Sequence, residues 1–132
     1  MNLELTGKTA LVGGSTQGIG WAVAKELASL GARCILLARN EEKLKELTAV
    51  LNEGSSPIHA YEVADYANLE QLKHAIETIV AREPIQVLIN NTGGPPPGLI
   101  QEAGLEDFEK AFQQHVLANQ LLSKAVLPGM KA

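Results

Sequence analysis

The chain has 132 residues, 45% of them apolar and 20% charged, with 11 basic against 15 acidic side chains and a formal net charge of −4. That balance is one of a single globular domain and excludes intrinsic disorder, while the scattered basic residues exclude a stripe for a nucleic-acid backbone. No run approaches the roughly 18 apolar residues of a membrane helix, no basic-then-apolar leader is seen, and the one cysteine, Cys34, leaves no internal disulfide, so a reducing, cytoplasmic setting is expected.

Short apolar runs alternate with longer segments of helical period. Thr9–Gly13 is continuously apolar from Ala10 to Val12, as expected of a strand covered on both faces. A Gly/Ser/Thr/Gln turn follows, and a helix is predicted over 19–30 with Ala22, Val23, Leu27 and Leu30 toward the core and Gly31 at its left-handed end. A second buried strand is predicted over 34–38. Asn40 caps a helix whose face is Leu44, Leu47 and Leu51, ending at Gly54. A third strand, 58–63, contains His59 and is expected at an edge. Asn68 caps the next helix, with the stripe Leu69, Leu72, Ala75, Ile76 and Ile79, and Pro84 breaks it. Val87-Leu88-Ile89 is predicted as a fourth buried strand. The long segment 91–104, stiffened by Pro95, Pro96 and Pro97, precedes a last helix over about 105–127. This β-α-β-α-β-α-β-α order implies an α/β fold with parallel strands and right-handed crossovers. The expected sheet is a Rossmann-type, doubly wound one in the order 3-2-1-4, one mononucleotide-binding half plus the first strand of a second.

Two places carry chemistry. The turn Gly14-Ser15-Thr16-Gln17-Gly18-Ile19-Gly20 joins a buried strand to a helix. Unpaired N–H groups at a helix start carry partial positive charge and suit a pyrophosphate that glycines allow to approach. No Lys-Ser or Lys-Thr pair follows the last glycine, which disfavours a P-loop. At the end of strand two, Arg39 lies 19 residues after Gly20, where chains that bind NAD usually place an acid for the ribose hydroxyl. A guanidinium there attracts the 2′-phosphate of NADP and disfavours a methyltransferase.

In these residues the chain resembles the classical short-chain dehydrogenase/reductases. Gly14, Gly18 and Gly20 match the family's Thr-Gly-x-x-x-Gly-x-Gly turn, with Gly13 in place of threonine. Asn90-Asn91-Thr92-Gly93 matches Asn-Asn-Ala-Gly, with Thr92 in place of alanine. Asp65 and Leu127-Pro128-Gly129-Met130 fall at further family positions, and 91–98 is similar to the 3-oxoacyl-(acyl-carrier-protein) reductase-like subgroup. The match runs the full length of the chain, so residues 1–132 are expected to be its NAD(P)-binding N-terminal part.

The resemblance implies roles. Gly14 through Gly20 would hold the pyrophosphate and adenosine ribose, with Ser15, Thr16 and Gln17 offering polar contacts and Ile19 its N–H. Arg39 and Asn40 would hold the 2′-phosphate, Asp65 and Tyr66 would frame the adenine, and Asn91, Thr92 and Gly93 would lie along the nicotinamide ribose. The position before the second glycine, basic in some NADP-preferring members, is Gln17, so NAD stays the alternative cofactor. The implied reaction is hydride transfer to or from a small carbonyl or alcohol substrate.

The family's Ser/Tyr/Lys set is absent: Tyr61 and Tyr66 are the only tyrosines, and neither has lysine four residues on. Counting back from Pro128, the family's catalytic asparagine falls at His115, which could carry protons near neutral pH or serve only in packing. Asn119 lies one turn further. Trp21 and Cys34 read as packing residues, and His59 and His74 lack metal-ligand spacing. The chain alone is not expected to be active. Without a neighbour beyond strand four, the edge at 87–89 is open. The last helix carries more apolar surface (Phe108, Phe112, Val116, Leu121, Leu122, Val126) than one face needs, so self-association through it, or a downstream segment, is expected. The competing reading is a non-catalytic nucleotide-binding or interaction module ending at Ala132.

Overall fold

The computed structural model describes residues 1–54, 57–93 and 97–132. Four strands, β1 (Thr9–Gly13), β2 (Arg33–Ala38), β3 (Ala60–Val63) and β4 (Val87–Ile89), form one parallel sheet in the order β3-β2-β1-β4. The helices α1 (Gly18–Ser29), α2 (Glu41–Asn52) and α3 (Leu69–Arg82) are the crossovers. The chain then runs through a 3₁₀ turn (Ile100–Glu102) into α4 (Leu105–Phe112), a π turn (Gln113–Leu117) and α5 (Ala118–Lys131).

The pleat sorts the apolar runs onto two faces. Leu11, Ile35 and Leu37 pack with Leu72, Ile76 and Ile79 of α3 and Ala118, Leu122 and Val126 of α5. Ala10, Val12, Cys34, Leu36 and Ala38 pack with Ala24 of α1 and Leu44 and Leu47 of α2. Both faces of β1 and β2 are therefore covered, which is why these strands read as unbroken apolar runs rather than alternating ones. Each fully buried leucine or isoleucine contributes roughly 1.5–3 kcal/mol.

The strand order, the edge place of β3 and the caps at Asn40 and Asn68 agree with the sequence reading; their side chains accept from Lys43 N–H and Gln71 N–H. Some expectations are corrected. Ala22 is exposed, and the buried stripe of α1 is Gly20 and Ala24, backed by Leu27 and Ala28. Gly20 packs under the Gly14 carbonyl and beside Asn91 Nδ2, so the buried face of the helix starts there. β3 begins at Ala60 because Ile58 is 72% exposed, while His59, although outside the strand, is buried and accepts Cys34 N–H on Nδ1 at 3.0 Å. β4 is half-buried rather than buried, since among the described residues only β1 flanks it. The last helix does not stop at 127: it continues to Lys131 with Pro128 inside it, and it contains the π turn. Of the segment 91–104, Gly94, Pro95 and Pro96 lie outside the described residues.

At the amino ends of the strands a polar network joins all four. Arg33 binds Glu83 with both arms of its guanidinium (2.8 and 3.1 Å) and also reaches the Ile58 carbonyl. Thr9 Oγ1 donates to Glu83, and Thr9 N–H donates to Gln86 Oε1 at 2.7 Å. The carboxyl ends are left free for a cleft. Among the described residues, no helix is long and apolar enough to cross a membrane.

Candidate functional site

Open parallel sheets bind ligands at the carboxyl ends of their strands, where the order reverses. In this sheet that point lies between β1 and β4. A cleft of about 670 Å³ opens there, lined by Gly14, Thr16, Gln17, Gly18 and Ile19 of the first turn, Arg39 after β2, Asp65 and Tyr66 after β3, and Asn91, Thr92 and Gly93 after β4. Its volume falls within the usual range of ligand pockets, about 300–1,000 Å³.

The first turn is built by close approach. A Cβ on Gly20 would overlap the Gly14 carbonyl, and one on Gly14 would stand 2.5 Å from the Asn91 carbonyl. Asn91 Nδ2 donates to the carbonyls of Gly13 (3.4 Å) and Gly14 (3.3 Å), tying the end of β4 to the turn. Gly18 differs: its φ is +56° and nothing lies within 4 Å of its Cβ position, so it supplies a left-handed backbone on the open side. Thus Gly20 is buried beneath the turn, and of the three glycines it alone does not line the cleft.

The helix that follows has no side-chain cap, in contrast to α2 and α3. Its first N–H groups therefore keep their donor capacity toward the cleft side of the turn. Ser15, expected to offer a polar contact, is instead fully buried and does not line the cleft, and its Oγ has no hydrogen-bond partner among the described residues. At the rim Arg39 is exposed and forms no ion pair among the described residues. Uncapped amides and an uncompensated guanidinium together fit a phosphate-bearing ligand.

The other expected residues are distributed less simply. Asn40 does not line the cleft; its Oδ1 accepts from Lys43 N–H at 3.1 Å, which leaves only its amide N–H groups for a ligand. Asp65 lines it, with Oδ1 taking Ala67 N–H at 2.9 Å. The Tyr66 ring packs against the α3/α5 core, and its buried hydroxyl stands where a Cβ on Gly13 would be. Burial pushes that phenol above the ordinary tyrosine range. This explains Gly13 in place of threonine: Tyr66 fills the space. His115 stands behind Thr92, with Thr92 Oγ1 2.7 Å from His115 Nδ1, and does not itself line the cleft. Three lining residues escaped the sequence reading: Ala38, Ala64 and Gln114. The first follows from the rule that strand ends line such clefts, being the last residue of β2, and Ala64 directly follows β3; Gln114 carries no signal of its own. Among the described residues, no group of three or more metal-ligating side chains is assembled.

The model of the short chain dehydrogenase family matches residues 8–132. A 3-oxoacyl-(acyl-carrier-protein) reductase of Rickettsia felis is 33% identical over 129 residues, covering 97% of this chain and 50% of the relative. Among solved structures, L-sorbose reductase from Gluconobacter frateurii, complexed with NADPH and L-sorbose, superposes with a TM-score of 0.89 at 29% identity, over 99% of this chain and 50% of that one. A gluconate 5-dehydrogenase from Burkholderia cenocepacia, in complex with NADP and tartrate, gives a TM-score of 0.85 at 28% identity, over 96% and 50%. The chain spans about half the length of these relatives.

Proposed function

The chain belongs to the short chain dehydrogenase family, and from that premise we propose that residues 1–132 are the NADP-binding domain of an oxidoreductase that moves hydride between a nicotinamide and a carbonyl or alcohol carbon. The observation that carries the reading is the cleft over β1 and β4, with uncapped α1 amides at one side and Arg39, in no ion pair among the described residues, at its rim. When bound, the nicotinamide supplies the hydride chemistry. The chain's own residues bind and orient. The α1 amides, Thr16, Gln17 and Ile19 N–H hold the diphosphate and adenosine ribose. Arg39, helped by Asn40, takes the 2′-phosphate; Asp65 and Tyr66 border the adenine; Asn91, Thr92 and Gly93 border the nicotinamide ribose.

The reaction also needs a proton donor for the alkoxide. The two tyrosines cannot serve as the family's pair with lysine, because Asp65 and Glu70 occupy the fourth position on from each. The Tyr61 hydroxyl is bonded to Glu41, and the Tyr66 hydroxyl is buried over Gly13. These residues alone therefore bind the cofactor without turnover. That observation also favours the second reading, a nucleotide-binding module with no catalysis. The 3-oxoacyl reductase type is the substrate class we favour, from the segment around Thr92-Gly93.

Fluorescence titration with NADPH and NADH tests the proposal. Saturable binding with preference for NADPH is expected. Binding of neither nucleotide would remove the reading, and turnover of a carbonyl substrate by the 132 residues alone would show that a proton donor has been overlooked.

A further inference from the structure

Two departures of this chain from the expected family residues, Thr92 for alanine and His115 for asparagine, meet in space. Thr92 Oγ1 and His115 Nδ1 are 2.7 Å apart although the residues are 23 positions apart in sequence. His115 sits in the π turn Gln113–Leu117, the kind of helix defect that concentrates at functional sites. Asn119 Nδ2 donates to the His115 carbonyl at 2.7 Å, which satisfies an acceptor in that disturbed turn. His115 Nε2 and Asn119 Oδ1 are both buried and have no hydrogen-bond partner among the described residues. Thr92 lines the cleft whereas His115 does not, so the imidazole acts on the cleft through Thr92.

We infer that Thr92 and His115 form one hydroxyl-reading pair, in which Thr92 Oγ1 touches a hydroxyl of the bound nucleotide and His115 is the positioning residue behind it. This rests on the nucleotide-binding reading above. The polarity of the pair follows from donor and acceptor counts. Threonine has one hydroxyl proton and two lone pairs, and a neutral imidazole has one N–H and one bare nitrogen. With the proton on Nε2, a buried donor and the buried acceptor Asn119 Oδ1 sit on residues one helical turn apart; with the proton on Nδ1, both unpaired atoms are acceptors. An unpaired buried group costs free energy until it finds a partner, and only a donor with an acceptor can be paired by a small side-chain adjustment. Nδ1 is then the acceptor, Thr92 donates to it, and Thr92 Oγ1 is left able only to accept. The ligand group it takes is therefore a donor, such as a ribose hydroxyl, and not a phosphate oxygen.

Two measurements on the 132-residue chain test this. Long-range ¹⁵N–¹H correlation spectra at a pH where His115 is neutral should show the Nε2–H tautomer, and Thr92→Val should abolish that fixed tautomer. In NADPH titrations, Thr92→Val and His115→Phe should each weaken binding about fivefold, the size of one hydrogen bond. The double variant should be no worse than either single one, and Thr92→Ser should bind like the unaltered chain; thermal melts by circular dichroism identify any variant that fails to fold. An Nδ1–H tautomer, multiplying losses in the double variant, or a Thr92→Ser loss equal to that of Thr92→Val overturns the pair while leaving nucleotide binding intact. No NADPH binding by the unaltered chain overturns both readings.

Discussion

Arg39 separates two cofactors that differ by one phosphate. Its guanidinium has no competing carboxylate among the described residues, so Arg39→Ala should lower NADPH affinity about tenfold and leave NADH affinity unchanged. Equal losses for both nucleotides in parallel titrations would assign Arg39 a different role. The glycines of the first turn separate in another way. Gly20→Ala drives a methyl group into the Gly14 carbonyl and should cost about 3 kcal/mol, whereas Gly18→Ala meets open space and should cost only the strain of its left-handed backbone, about 1–2 kcal/mol. Urea unfolding of the two variants checks the order. The position of the turn was readable because its chemistry is local: glycines between an apolar run and a helix. The reason for Gly14 was not, since it is Asn91, 77 residues away, that presses on it. Ala38 and Ala64 were missed for a simpler reason, as a methyl group announces no function.

The strands and caps were readable because an unbroken apolar run and an asparagine before an amphipathic run are local patterns. The π turn was not. Its register depends on contacts from elsewhere, Thr92 on His115 and the Ala67 carbonyl, which accepts from Gln113 Nε2 at 2.6 Å. The helix ran past Pro128 because a proline removes one donor but does not stop a last turn already held by Leu122 and Val126 on α3. The His59 stretch before β3 yields a pH prediction. Burial, and secondarily the charge of Arg33, holds the imidazole below its ordinary value. The unfolded chain therefore takes up the proton first as pH falls. The His59 contribution to stability is complete above about pH 6.5 and is lost as pH drops through the lowered folded value. Glu83 is held below the ordinary carboxylate range chiefly by its hydrogen bond from Arg33; its contribution is present above about pH 4.3 and is lost further into acid. The stability read from urea unfolding should thus decline in two windows, opening below about pH 6.5 and below about pH 4.3, with each group adding a slope of at most about 1.4 kcal/mol per pH unit. His59→Gln, whose amide oxygen can still accept Cys34 N–H, should flatten the upper window and spare the lower one. Stability that stays level down to about pH 4.3 in the unaltered chain would contradict this assignment.

Phe108 and Phe112 are 54% and 55% exposed, and Leu105, Val116 and Leu117 extend the same apolar stretch. Exposed apolar surface of this extent marks an interaction site, and β4 offers hydrogen-bonding groups on its unflanked edge. We therefore expect copies of the chain to associate through the α4 region. Sedimentation velocity should give a mass above that of one chain, and Phe108→Glu combined with Phe112→Glu should shift it toward the monomer without lowering the thermal midpoint. Identical sedimentation of both proteins would move the contact elsewhere. The two ends of the sheet, meanwhile, serve different purposes. Arg33, Glu83, Thr9 and Gln86 fasten one rim of the strands, while the opposite rim carries the groups that meet the ligand. Substitutions that retune ligand choice can therefore accumulate on one rim with little penalty to folding, and a lineage of such chains could change its nucleotide while its architecture stayed put.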